Sequence, residues 1–270
     1  VSFVSIWLIS GKSILAFNFL RVAVGDGVTE YPFATIPLFT VMGLLVSRAG
    51  LGTDIYTVLN RGFRKLTGGV GMATVGANAV FAAVTGSSIA SASVFTRIAV
   101  PEMRKLNYDK RFAVGVVAGS SVLGMIIPPS AMLIIYSFVS EQSVGDMFLA
   151  GIVPGLILTA AYISWIFISG YLRPSYIGKN IDKAFERPLS LSELMDKTVP
   201  IVALIMLVLG GIYTGWLTPV EAGASGALFS VIIAVLRRRM TWRGLWETAI
   251  ETGHITASIL FLIAMASLYS

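Results

Sequence analysis

The chain has 270 residues, of which 56% are hydrophobic and only 13% charged. So few charges cannot cover a soluble globular surface, and the composition points to a membrane protein. The formal net charge is +6 and cysteine is absent, which excludes a disulfide framework, a thiolate nucleophile and a cysteine metal site. The basic excess reads as a topology signal and not as a nucleic-acid footprint.

In chain order, apolar runs extend approximately over 1–20, 31–47, 68–100, 112–140, 147–172, 198–214, 219–236 and 254–270. Several reach the roughly 20 residues that a spanning helix requires. Lys12 lies inside the first run, where it would snorkel or meet another subunit. Four basic groups punctuate the runs and predict cytoplasmic loops: Arg48, Arg61, Arg64 and Lys65; Arg104, Lys105, Lys110 and Arg111; Arg173, Lys179, Lys183, Arg187 and Lys197; and Arg237, Arg238, Arg239 and Arg243. The connections carrying Asp26 and Glu30, Glu141 and Asp146, and Gly215 to Pro219 are acidic or neutral and are expected on the outer face.

Residues 51–66 put Ile55, Val58, Leu59, Gly62, Phe63 and Leu66 on one helical face, with Arg61, Arg64 and Lys65 off it. That pattern predicts an interfacial helix, either a membrane anchor or a stiff arm between a moving and a fixed part. Residues 241–252 repeat it, with Thr241 placed to cap. Ser190 and Glu193 have capping-box spacing and predict a short helix before the span at 198.

The stretch from Thr67 to Val100 has a basic cluster on each side and must enter and leave on one face. Two full spans would need about 40 residues, so a re-entrant hairpin is expected, with the polar run Thr85 to Ser93 at its tip. Further on, Gly119-Ser-Ser-Val-Leu-Gly-Met-Ile-Ile-Pro-Pro-Ser130 cannot be one continuous helix. Pro128 and Pro129 have no N–H to give to the carbonyls of Gly124 and Met125. These features divide the chain into 1–66 (first spans and arm), 67–172 (hairpin over 67–100, broken helix over 112–140), 173–253 (linker, two spans, second interfacial helix) and 254–270. Val1 is not an initiator methionine and Ser270 falls inside an apolar run, so the chain reads as a fragment whose last segment opens a second half.

Two discontinuous elements separated by one loop could meet and form a cage. Thr74, Asn78 and Thr85 make a polar stripe on the first hairpin arm, Ser87 shares a face with Ser91, and Ser120 shares one with Gly124. Hydroxyls, an amide oxygen and freed carbonyls suit a small, hard, monovalent cation, whereas a divalent site would carry carboxylates or imidazoles. Sodium is the expected ion, with Asn78, Thr85, Gly86, Ser87 and Ser88 contributing from the hairpin and Ser120, Ser121, Gly124, Met125 and Pro128 from the break. The N-terminus of the half-helix after the tip offers N–H groups to a carboxylate. Ser88, Ser91 and Ser130 are the candidate substrate contacts. Close packing of small residues is the bland alternative for each serine pair alone.

The segments Gly86-Ser-Ser-Ile-Ala90, Ile98-Ala-Val-Pro-Glu-Met103, Tyr108-Asp-Lys-Arg-Phe112, Ile127-Pro-Pro-Ser130, Phe148-Leu-Ala-Gly-Ile-Val-Pro-Gly155 and Gly210-Gly-Ile-Tyr-Thr-Gly-Trp-Leu-Thr-Pro-Val-Glu-Ala222 occur in an order that resembles the large membrane subunit of tripartite ATP-independent periplasmic (TRAP) transporters. The resemblance implies an all-α polytopic protein of the elevator type of the ion-transporter superfamily, in the bacterial inner membrane. It implies sodium-driven import of organic acids such as C4-dicarboxylates or sialic acid, with a smaller membrane subunit and a periplasmic binding protein as partners. It also implies that the family's first hairpin and first sodium site fall on Gly86 to Ser91 and Ser120 to Pro129. A second hairpin, a second sodium site and the rest of the substrate site would lie in the second half.

A stand-alone sodium–carboxylate symporter would use the same discontinuous elements. A channel is disfavoured because the polar residues cluster at two breaks and do not line a path. An intramembrane serine protease would need a base, and the only histidine, His254, reads as interfacial. No Gly-rich phosphate loop is present for an ATP-driven pump, and no cofactor is expected. Arg97 reads as an interfacial anchor, Glu102 and Asp109 as loop-ordering residues, and Glu221 as a favourable charge at a helix start.

Overall fold

The computed structural model describes residues 7–9, 11–15, 17–18, 21, 31–63, 65–177 and 190–267. The connection with Asp26 and Glu30, most of the first apolar run, and Arg64, Lys179, Lys183 and Arg187 lie outside the described residues. Among the described residues every regular element is helical. After a 3-10 turn at Tyr31–Ala34 come α1 (Thr35–Arg48), α2 (Leu51–Phe63), α3 (Gly69–Thr85), α4 (Ser88–Lys105), α5 (Lys110–Ser121), the single turn α6 (Leu123–Ile126), α7 (Ala131–Val139), α8 (Val144–Leu172), α9 (Leu191–Ile205), α10 (Pro219–Leu236) and α11 (Trp242–Ser267).

Four stretches are long and apolar enough to cross a bilayer: Val144–Leu172, Leu191–Tyr213, Pro219–Leu236 and Trp242–Met265. Two bent pairs raise the number to six if each is one span, α1 with α2 at 62° and α5–α6 with α7 at 43°. The protein is a multi-pass helical membrane protein.

The helices start and stop where local chemistry tells them to. Ser190 and Glu193 form the expected capping box, and Thr218 with Glu221 forms another. Thr241 Oγ1 accepts from the Gly244 amide at 3.1 Å. Asp109 caps α5 by accepting from the amides of Arg111 and Phe112 at 2.8 and 3.0 Å. Helix α3 has no side-chain cap, since Gly68 precedes it at φ 80°. The buried Tyr108 hydroxyl lies close to the helix's first-turn amides at Val70 and Gly71. Burial pushes that phenol up to about 12, and the two amides pull it back only partly. A raised phenol stabilises the fold below its ordinary pKa near 10, and that contribution disappears as pH rises through 12. We expect Tyr108→Phe to cost about 1 kcal/mol at neutral pH through the lost acceptor. Thermal unfolding of the variant should also show a smaller decline above pH 10 than wild type.

Three elements differ from expectation. Residues 241–252 are not a separate interfacial helix, because α11 runs unbroken from Trp242 through His254 to Ser267. No proline interrupts it, and an interior glycine such as Gly253 costs only about 1 kcal/mol, too little to end a helix with an apolar second half. The boundary drawn at 253/254 therefore falls inside a helix. Likewise the helix capped by Ser190 is not a prelude to the span at 198 but its first turns, continued through a π-type turn at Met206–Gly210. Pro200 within it leaves the Asp196 carbonyl without its helical donor; the Arg237 guanidinium supplies one. Finally, α2 is not simply interfacial. It buries Leu51, Asp54, Ile55 and Tyr56, and a Cβ on Gly52 would lie 2.8 Å from Val94 and 3.1 Å from Phe81, so it packs directly on the α3–α4 pair.

Candidate functional site

Helices α3 and α4 form an antiparallel hairpin. Gly86 at φ 60° ends the first, its amide bonding back to the Ala82 carbonyl, and Ser87 caps the second by accepting from the Ala90 amide at 3.3 Å. Phe81 and Phe95 meet edge to face across the arms at 5.6 Å. The return arm runs to Lys105, five residues past the expected base, so Glu102 sits on a helix and not in a loop. There it accepts from Asn60 Nδ2 of α2 at 2.6 Å.

The two breaks in the chain meet. A Cβ on Gly86 would lie 2.2 Å from the Pro129 carbonyl oxygen, and one on Gly124 would lie 2.8 Å from both Ser87 C and Ser88 N. The Ala131 amide donates to the Gly86 carbonyl at 3.3 Å. The tip Thr85–Ser88 is thus wedged into the break Gly124–Ser130, backbone against backbone. Glycines also line the walls. Gly43 of α1 faces the Thr85 carbonyl, where a Cβ would sit at 2.6 Å, and Gly151 and Gly155 of α8 face Ile126 and Ile127. Small residues are what allow backbone to approach this closely.

Beside the wedge, a buried polar network joins three helices. Asn78 Nδ2 donates to Ser120 Oγ at 2.5 Å, Ser91 Oγ donates to Asn78 Oδ1 at 2.5 Å, and Ser120 Oγ donates to the Val116 carbonyl at 2.6 Å. All three side chains are buried, and a fully satisfied network of this kind fixes helix register.

Of the residues singled out from the sequence, Thr85, Gly86, Ser87, Ser88, Gly124, Pro129 and Ser130 converge at the wedge, and Asn78, Ser91 and Ser120 converge at the network. Pro128 is buried against Gly151. Thr74, Thr85 and Ser121 donate to carbonyls of their own helices, Val70, Phe81 and Ala118. A hydroxyl bonded in this way keeps its oxygen lone pairs for another ligand. Met125 contributes no side chain, which is 41% exposed. Its proline-freed carbonyl accepts from the buried Ser130 hydroxyl at 2.7 Å. The Gly124 carbonyl likewise has no helical donor, because Pro128 has no N–H. Among the described residues no group of three or more His, Cys, Asp or Glu could hold a metal ion. The wedge residues named above bring hydroxyl and carbonyl oxygens and no carboxylate. His254 is exposed in the middle of α11.

Asp54 lies outside the residues singled out from the sequence, which marks the cations around it only as signals of topology. Asp54 is 2% exposed, and its carboxylate meets Lys197 at 3.3 Å, Arg239 at 3.3 Å and Arg237. Nearby, Arg48 pairs with Glu247 and Glu251 at 3.0 and 3.1 Å. One local signal exists: Asp54 lies between Leu51, Ile55 and Val58 on the apolar stripe of α2, where an acid needs buried partners.

Residues 1–270 match the family described as tripartite ATP-independent periplasmic transporter, DctM component. The chain is 32% identical over 246 residues to the C4-dicarboxylate TRAP transporter large permease protein DctM of Pseudomonas aeruginosa, covering 89% of this chain and 56% of that protein. It is 28% identical over 251 residues to the sialic acid TRAP transporter large permease protein SiaM of Vibrio cholerae (91% and 57%). It is 30% identical over 246 residues to the 2,3-diketo-L-gulonate TRAP transporter large permease protein YiaN of Escherichia coli (89% and 56%). The chain spans a little over half the length of each of these relatives. With every residue inside the family match, the chain belongs to the DctM component family of tripartite ATP-independent periplasmic transporters.

Proposed function

We propose that this chain is part of the translocation subunit of a sodium-coupled, binding-protein-dependent secondary transporter that imports organic acids across the bacterial inner membrane. The observation that carries the reading is the wedge of the Gly86 tip in the Pro128–Pro129 break, lined by neutral oxygens. In this reading the hairpin is re-entrant, and one sodium ion is held between tip and break. The ligands are oxygens of Thr85, Gly86, Ser87 and Ser88 on one side and of Ser120, Ser121, Gly124, Met125 and the Pro128 region on the other, with Asn78 setting the register. Pre-oriented carbonyls and hydroxyls replace the hydration shell of a monovalent ion without the field of a carboxylate cluster.

The relatives named above carry C4-dicarboxylate, sialic acid and 2,3-diketo-L-gulonate in their names, and all three are carboxylates. We assign a carboxylate substrate here too. The N-terminus of α4 supplies first-turn amides and a positive dipole beside Ser88, with Ser91 and Ser130 behind it. A small membrane subunit and a periplasmic binding protein complete the transporter, and the hairpin and broken helix move together as the elevator unit.

Uptake of labelled carboxylic acids into liposomes by the full-length protein with its small subunit tests this, with and without a sodium gradient and with and without the binding protein. Both are expected to be required. Thr85→Val, which keeps shape but removes one oxygen, should weaken the sodium dependence about tenfold. Uptake needing sodium alone would make the protein a stand-alone symporter, and uptake needing neither would sink the coupled mechanism.

A further inference from the structure

Between α10 and α11 the chain turns through Arg237, Arg238 and Arg239, with Arg238 in the left-handed region at φ 53°. At this turn lies a cavity of about 290 Å³ whose lining includes Arg48, Arg239, Thr241, Arg243, Gly244 and Glu247. Three guanidiniums and one carboxylate line the cavity, while Glu251 and Asp54 bond two of the guanidiniums from outside the lining. Both nitrogens of Arg48 that bond are committed to carboxylates, Nη1 to Glu247 and Nη2 to Glu251. The other two arginines are only partly used. Arg243 pairs through Nε with Glu247 at 3.1 Å. Arg239 bonds through Nη1 alone, to the Ala49 carbonyl at 2.9 Å and to Asp54 at 3.3 Å. Among the described residues, both terminal amino groups of Arg243 and the Nη2 group of Arg239 have no protein partner. The amides of Trp242 and Arg243 open the first turn of α11 at the same place, adding the positive end of a 26-residue helix.

The apolar ridge beside the cavity narrows the occupant. Trp242 and Trp246 are 85% and 67% exposed at i, i+4 on a helix long and apolar enough to span, the placement of aromatic side chains at the headgroup level. Ile250, also exposed, continues the same ridge toward the apolar half of the helix. Guanidinium forks match the oxygens of a phosphate. A free phosphate would use the charges but not the apolar ridge beside them, whereas a phospholipid would use both. We propose that this cavity binds the phosphate of an anionic phospholipid, whose acyl chains lie along Trp242, Trp246 and Ile250. The site does not depend on the sodium reading.

The test uses the full-length protein in nanodiscs of phosphatidylcholine with or without phosphatidylglycerol, read by retained lipid in native mass spectrometry and by thermal unfolding. Wild type should retain phosphatidylglycerol selectively and unfold at a higher temperature in its presence. Arg243→Gln, which loses a single exposed ion pair, should bind that lipid about fivefold more weakly. Glu247→Gln breaks that ion pair and the Arg48–Glu247 pair, with Arg48 still held by Glu251, and removes the competing negative charge, so it should bind at least as tightly as wild type. The proposal is overturned if Arg243→Gln retains the lipid as wild type does. It is equally overturned if Glu247→Gln loses it to the same degree, or if phosphatidylcholine protects as well as phosphatidylglycerol. Protection of the detergent-solubilised protein by inorganic phosphate alone would reassign the cavity to a soluble anion and overturn the lipid assignment.

Discussion

Gly86→Ala in the full-length protein should lower stability by about 3–5 kcal/mol, because two separate penalties fall on one methyl group. The backbone sits at φ 60°, a conformation that only glycine adopts freely. The new Cβ would also lie 2.2 Å from the Pro129 carbonyl oxygen, and a main-chain atom held by a double proline cannot rotate aside. Gly124→Ala meets Ser87 and Ser88 backbone at 2.8 Å without a positive φ, so its effect should be smaller but of the same sign. At Gly115, on α5, a Cβ would meet nothing within 4 Å, and Gly115→Ala should be neutral or stabilising by up to about 1 kcal/mol. Thermal unfolding of the three purified variants provides the comparison, with uptake as a second readout. Equal unfolding temperatures for Gly86→Ala and Gly115→Ala would show that tip and break are not in contact.

The second large effect is expected at Asp54. Asp54→Asn keeps the shape but leaves Lys197, Arg237 and Arg239 converging on a neutral group. Removing one partner of a buried pair costs about 3–5 kcal/mol. Because Lys197 and Arg239 are partly exposed, water recovers some of this, and we expect about 2–4 kcal/mol. Lys197→Met should cost less than about 1 kcal/mol, since Asp54 keeps two arginines and the lost cation is 26% exposed. Chemical or thermal unfolding of both variants measures the difference. If the two lose equal stability, the carboxylate is not the centre of the cluster.

The elements most legible in the sequence are those with a strong local cause. The turn between α3 and α4 falls at the polar run Thr85 to Ser93 that interrupts the apolar stretch; the break follows from the missing N–H groups of Pro128 and Pro129. The spacing of Asn78, Ser91 and Ser120 marks them as polar positions on apolar helices, and the structure brings them together. What spacing does not reveal is how each hydroxyl is used. Ser130 spends its proton on the Met125 carbonyl, and Thr74 and Ser121 spend theirs within their own helices. The extent of α11 is hidden because a change from amphipathic to apolar pattern resembles a boundary, although nothing at Gly253 or His254 breaks a helix. The partners of Asp54 lie 143, 183 and 185 residues away. Pairing over that distance leaves no trace in local periodicity, and only the presence of an acid on an apolar stripe hints that partners exist.

The corner at Ala49–Gly50 is braced on both flanks. Arg239 holds the Ala49 carbonyl and lies where a Gly50 Cβ would meet its Nη1 at 2.6 Å; Arg48 is tied to α11, and Asp54 to α9 and the α10–α11 turn. Opening or closing the 62° angle between α1 and α2 would separate these ion pairs together. Helix α2 therefore behaves as a bracket bolted to α1, whereas the Asn60–Glu102 hydrogen bond is a lighter latch from bracket to hairpin. Any sliding of the hairpin past α2 breaks that latch together with the close packing of Gly52 on Phe81 and Val94, and leaves the ion pairs of the corner intact.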